Sequence, residues 1–108
     1  MAPWLDRMDR HYEDKALFND SPLTMPPSEY FKRQCWTSTE AGEKLVPTFI
    51  EHVGEDYLTI ATDYPHSDAI DKFPDKTVGA LSGNNKLSPD VRRKILWDNP
   101  TRLYGLGA

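Results

Sequence analysis

Hydrophobic positions along this chain switch repeatedly between helical and extended spacing. Trp4, Leu5, Met8 and Tyr12 fall on one face at helical spacing, and Pro3 suits a first turn, so a helix is predicted from the outset. Residues 16–27 carry several breakers, Pro22, Pro26 and Pro27 among them, and read as a loop. Ser28 to Arg33 then fit one helical turn with Ser28 as its cap. A short strand is predicted over Gln34–Ser38, where Cys35, Trp36 and Thr37 favour extended structure, with Ser38-Thr39-Glu40 turning the chain. Leu45, Val46, Phe49, Ile50 and Val53 form a broad apolar helical stripe, with Pro47 in its first turn and Gly54 placed to end it in a left-handed conformation. Tyr57–Thr62 reads as a buried strand that Pro65 keeps from continuing. A polar segment follows to Lys86, and its Ser82-Gly83-Asn84-Asn85 run is expected to be mobile. In the last helix Ser88 is the cap, Pro89 the first residue, and Asp90 sits beside the positive end of the dipole. Val91, Ile95 and Leu96 are its apolar face, and Asn99-Pro100 its predicted stop. Leu103, Tyr104 and Leu106 make an apolar tail that needs a surface to cover.

The order helix, strand, helix, strand, helix predicts an α/β fold with right-handed crossovers and parallel strands. A parallel sheet needs cover on both faces, which two strands and three helices do not supply, and both sheet edges would stay open. The pattern is that of a slice of a larger α/β domain. Composition points the same way. The 108 residues allow one domain at most, spanning 1–108, and 38% hydrophobic residues with nine prolines give a lean core. The mean hydropathy is −0.67.

Net charge is −4, and the densest basic run, Arg92-Arg93-Lys94, shares its helix with Asp90 and Asp98. Nucleic acid is therefore not the expected partner, since such binding rests on clustered phosphate-neutralising charge. No apolar run approaches the roughly 18–20 residues that cross a bilayer. With no charged-then-apolar start either, the expected location is the cytoplasm, without membrane attachment. One cysteine, Cys35, forms no internal disulfide, and between Gln34 and Trp36 it reads as a buried structural thiol rather than a nucleophile.

Candidate chemistry concentrates after the second strand. Asp63 would sit at the mouth of a sheet or barrel, fixed by the strand behind it and open to a ligand in front. The plain alternative is a solvated turn rich in Asp, Ser and Pro. Asp63, His66 and Asp68 also hold the ligand types of a small metal site of their own. His11 and His52 lie near helix ends and read as solvated or dipole-facing. Trp36, near a strand end, is a candidate to face a pocket. There is no G-x-S-x-G elbow, glycine-rich phosphate loop or C-x-x-C pair.

Thr62-Asp63-Tyr64-Pro65-His66 resembles the S/T-D-Y-P-H signature that closes the last barrel strand of the amidohydrolase-2 (amidohydrolase-related) family. Pro27-Ser28-Glu29-Tyr30-Phe31 with Arg33-Gln34 resembles that family's segment ahead of strand seven, and Val53-Gly54-Glu55-Asp56 its helix end before strand eight. Leu87-Ser88 and Asn99-Pro100-Thr101-Arg102-Leu103-Tyr104 resemble the final helix and its N-x-x-R-L-Y close. The likeness runs from Trp4 to Leu106 with five motifs in order.

The resemblance implies the C-terminal slice of a metal-dependent (β/α)8 TIM barrel: helix six and the last two βα units. It implies hydrolysis of amide, ester or lactone bonds, or non-oxidative decarboxylation, of a small-molecule substrate at a divalent metal, zinc or else manganese. Asp63 corresponds to the strand-eight aspartate that binds the metal and takes a proton from its water; His66 would lie behind that shell or face substrate. The family's H-x-H pair on strand one and its middle-strand histidine have no counterpart here. A fragment, a truncated gene or a mis-assigned start is therefore expected, inactive as an isolated chain. The alternative is a non-catalytic chain that associates with itself, as a homo-oligomer, or with a full-length homologue.

Overall fold

The computed structural model of the protein describes residues 1–14, 20–40, 42–66, 78–83 and 86–107. They divide into two units, Met1–Trp36 and Thr37–Ala108. Asp68 and the Asn84-Asn85 pair lie outside the described residues.

In the first unit the predicted opening helix is present as α1, Ala2–Glu13, with proline in its first turn. Of its apolar stripe only Leu5 is buried, while Trp4 and Met8 stay exposed. The Arg7 guanidinium lies over the Trp4 ring, 5.3 Å from its centroid. Helix α2, Pro27–Gln34, has two turns where one was predicted, and Ser28 is not its cap. Pro26 holds that position without a side-chain bond. The Ser28 N–H instead donates to Asp9 Oδ1 of α1 at 2.8 Å. A carboxylate there satisfies a first-turn donor and also suits the helix dipole. The Tyr30 hydroxyl bonds to the Thr24 side chain and backbone, each at 3.2 Å, which holds the phenol below its ordinary pKa of 10.0. Cys35 follows α2 and is exposed, so the expectation of a buried thiol is corrected: the helix claims Gln34 and leaves Cys35 in the link beyond it.

The second unit carries the predicted parallel pair. Strand β1, Thr37–Glu40, pairs in parallel with β2, Leu58–Ala61, in the register Thr37↔Leu58 through Glu40↔Ala61. Both strands differ from their predicted spans. Ser38-Thr39-Glu40 is strand rather than turn, because its backbone finds a ladder in β2. Tyr57 belongs to a 3-10 turn, Glu55–Tyr57, that leads into β2. Between the strands runs α3, Val46–Val53, burying Val46, Phe49 and Val53. It ends at Gly54 as predicted, but with φ 111° and ψ 156°, outside the left-handed helical region. Only glycine adopts that conformation readily.

Along β1 burial alternates, with Thr39 buried between exposed Ser38 and Glu40. Along β2 it does not: Leu58 and Thr59 are both buried, so Thr59, opposite Ser38, is covered on the face that Ser38 and Glu40 leave exposed. The segment read as polar contains a further helix, α4, Val78–Ser82, whose Leu81 is buried in the core. Leu87, Ile95 and Leu58 are buried as well.

The closing helix begins as predicted: α5 spans Pro89–Arg93, and Ser88 Oγ accepts from the Val91 N–H at 3.2 Å. Its predicted stop is corrected. Pro100 does not end the helix; a π-helical turn, Lys94–Asp98, precedes it, and α6 continues over Asn99–Tyr104. In a regular α-helix the Pro100 ring would meet the carbonyl of residue 96 and remove one bond. The wider turn, with the Asn99 N–H bonded to Lys94 O five residues back, absorbs that conflict. It also brings Lys94 and Asn99 to one face.

That face clamps the N-terminal end of β2. Asn99, 2% exposed, donates through Nδ2 to the Glu55 and Leu58 carbonyls, both at 2.7 Å. Lys94 Nζ bridges Glu55 Oε1 at 3.0 Å and Asp56 Oδ1 at 2.9 Å. Arg102 donates to the Asp56 carbonyl, and Arg93 pairs with Asp98 at 3.4 Å. The basic run of the sequence is thus largely matched by carboxylates of its own unit. Hydrogen bonding to Lys94 holds Glu55 below its ordinary carboxylate value of 4.5, and bonds to Asp56 and then Glu55 hold Lys94 above 10.5. Glu55's contribution is present above its unfolded pKa and is lost as pH falls through the lower folded value. Lys94's is present below its unfolded pKa and is lost as pH rises through the higher folded one. Urea midpoints measured across pH should therefore form a plateau that falls below about 4.5 and above about 10.5. Lys94→Met should flatten the alkaline fall and weaken the acid one; an unchanged profile would take Lys94 out of the clamp.

Candidate functional site

Two residues past the end of β2 the chain turns back on itself. The His66 N–H donates to the Asp63 carbonyl at 2.7 Å, closing a four-residue turn whose central Tyr64–Pro65 bond is cis. Thr62 Oγ1 accepts from the Tyr64 N–H at 3.4 Å. Asp63 is the one described non-glycine residue with positive φ, at 57°. Aspartate tolerates this region better than most residues, because its short polar side chain bonds locally. The turn sets the side chains of its first and last residues together: Asp63 Oδ2 and His66 Nδ1 are 3.8 Å apart.

Asp63 is therefore at the C-terminal end of a parallel strand, as the sequence predicts, and His66 is beside it. Both side chains are largely in solvent, 62% exposed for Asp63 and 64% for His66. Asp68, the third candidate ligand, lies outside the described residues. The other two histidines are near helix ends, as the sequence predicts. His11 is in the last turn of α1, and His52 is in the last turn of α3 with Nδ1 2.9 Å from the Thr48 carbonyl oxygen. Trp36 is half-buried at the end of the first unit.

Sequence reasoning passed over the acidic residues at the same end of the sheet. Glu40 is the last residue of β1, opposite Ala61, and Glu43 follows after a turn closed by its N–H to the Glu40 carbonyl at 3.1 Å. Buried Thr39 donates its hydroxyl to Glu43 Oε2 at 2.6 Å, a charge-assisted bond that fixes this carboxylate. The available signal was the extended character of Thr37–Thr39, which implies that Glu40 and Asp63 leave parallel strands at one rim.

Carboxylate and imidazole are both suitable ligands for zinc or manganese. The Asp63–His66 pair fits part of such a site by chemistry and spacing, but a catalytic zinc takes three protein ligands. Among the described residues no group of three or more His, Cys, Asp or Glu side chains could hold a metal ion. Nor is any helix among them long and apolar enough to cross a membrane.

No curated protein matches the chain. Residues 1–106 match the family model described as Amidohydrolase, that of the amidohydrolase-2 family. A match over all but the last two residues, on a chain with a parallel βαβ pair and an aspartate at the strand's C-terminal end, decides the matter. The chain belongs to the amidohydrolase-2 family, whose fold is a TIM barrel, whose members are typically metal-dependent, and whose chemistry is of the hydrolase or lyase type.

Proposed function

We propose that this chain is the C-terminal part of a metal-dependent hydrolase or non-oxidative carboxy-lyase acting on a small molecule, and that Asp63 is its metal ligand and proton acceptor. The observation that carries this reading is the position of Asp63 just beyond β2, at the C-terminal ends of two parallel strands. TIM-barrel active sites are built at that rim. A divalent metal held there would polarise a substrate oxygen and acidify a water molecule. Asp63 offers two carboxylate oxygens, so one can hold the cation while the other receives a proton. His66, 3.8 Å away, orients that carboxylate or contacts substrate. Thr39 would keep the Glu43 carboxylate fixed at the same rim. The remaining ligands would come from barrel strands beyond these two.

A second reading is a chain without catalysis that associates with itself or with a full-length homologue. The lack of a group of three donors among the described residues favours it. The deciding experiment joins this segment to the preceding part of the family barrel, strand one through strand six, and compares the parent with Asp63→Asn for turnover and metal content. Loss of both supports the enzyme reading; a variant that keeps full turnover removes Asp63 from the machinery.

A further inference from the structure

We draw no further inference here: the strongest candidate, the apolar surface that Trp97, Leu103 and Tyr104 expose on the closing helix, is an unpartnered face, and nothing in the structure shows what covers it.

Discussion

Asp63→Asn, in a complete barrel that carries this segment, should lower kcat by about 10²- to 10⁴-fold, the usual contribution of a positioned acid–base group. Metal content should fall below one ion per chain in the same variant. Asparagine is the informative substitution because of the backbone. At φ 57° Asp63 is in the left-handed region, which asparagine shares with aspartate and alanine does not. Asp63→Ala would add about 1–2 kcal/mol of conformational cost and mix a folding defect into the kinetics. Asparagine keeps the shape and the turn while removing the charge that holds a cation and receives a proton. Steady-state kinetics on amide, ester, lactone and aromatic-acid substrates, with metal analysis of the same preparations, checks the result. A fall in kcat with unchanged metal content would assign Asp63 to proton transfer alone. Full activity with full metal would exclude it from both roles. His66→Ala should have the smaller effect, because His66 enters the reading as a group that orients Asp63 or meets substrate.

The helices that were legible in the sequence are those with a local signal. Ser88-Pro89 announces its helix through a side-chain cap and a fixed φ, and the structure has both. Pro47 marks the first turn of α3, and the periodicity of Val46, Phe49 and Val53 marks its buried face. The misreadings come from tertiary partners. Ser38-Thr39-Glu40 has turn chemistry in isolation, yet its backbone is ordered by strand partners twenty-one residues further on. The donor at the start of α2 is met by Asp9, nineteen residues back, a partner no short-range pattern contains. Asn99-Pro100 reads as a stop because proline is incompatible with an α-helix; the wider turn before it is not a feature that composition reveals. For the candidate site, Asp63 was legible because a β-branched run ending in a carboxylate is itself the pattern. The rest of a metal shell was not: His66 and Asp68 follow Asp63 with suitable ligand types, but Asp68 lies outside the described residues, and those described form no group of three donors.

Asn99→Ala should destabilise the second unit by about 2–4 kcal/mol, from two orphaned carbonyls at roughly 1–3 kcal/mol each less a small gain in helix propensity. The two carbonyls, of Glu55 and Leu58, mark the turn into β2 and its first residue. Leu58 is 1% exposed, so water does not readily replace the lost donor there. Asn99→Asp should be worse than alanine, because it would place a carboxylate oxygen against two carbonyl oxygens in a buried site. Urea denaturation measures both, and the midpoint should move while the slope stays that of the parent. A loss below about 1 kcal/mol for alanine would mean that neighbouring groups re-satisfy the carbonyls. The consequence reaches the candidate site through β2, a strand of only four residues between the clamp and the Asp63 turn. At about 3.3 Å per residue, a slip of one position at the clamped end would carry the Asp63 turn the same distance along the sheet and turn each strand side chain to the opposite face. The π-helical turn that Pro100 imposes is thus what lets one asparagine fix the start of the strand whose far end presents the carboxylate.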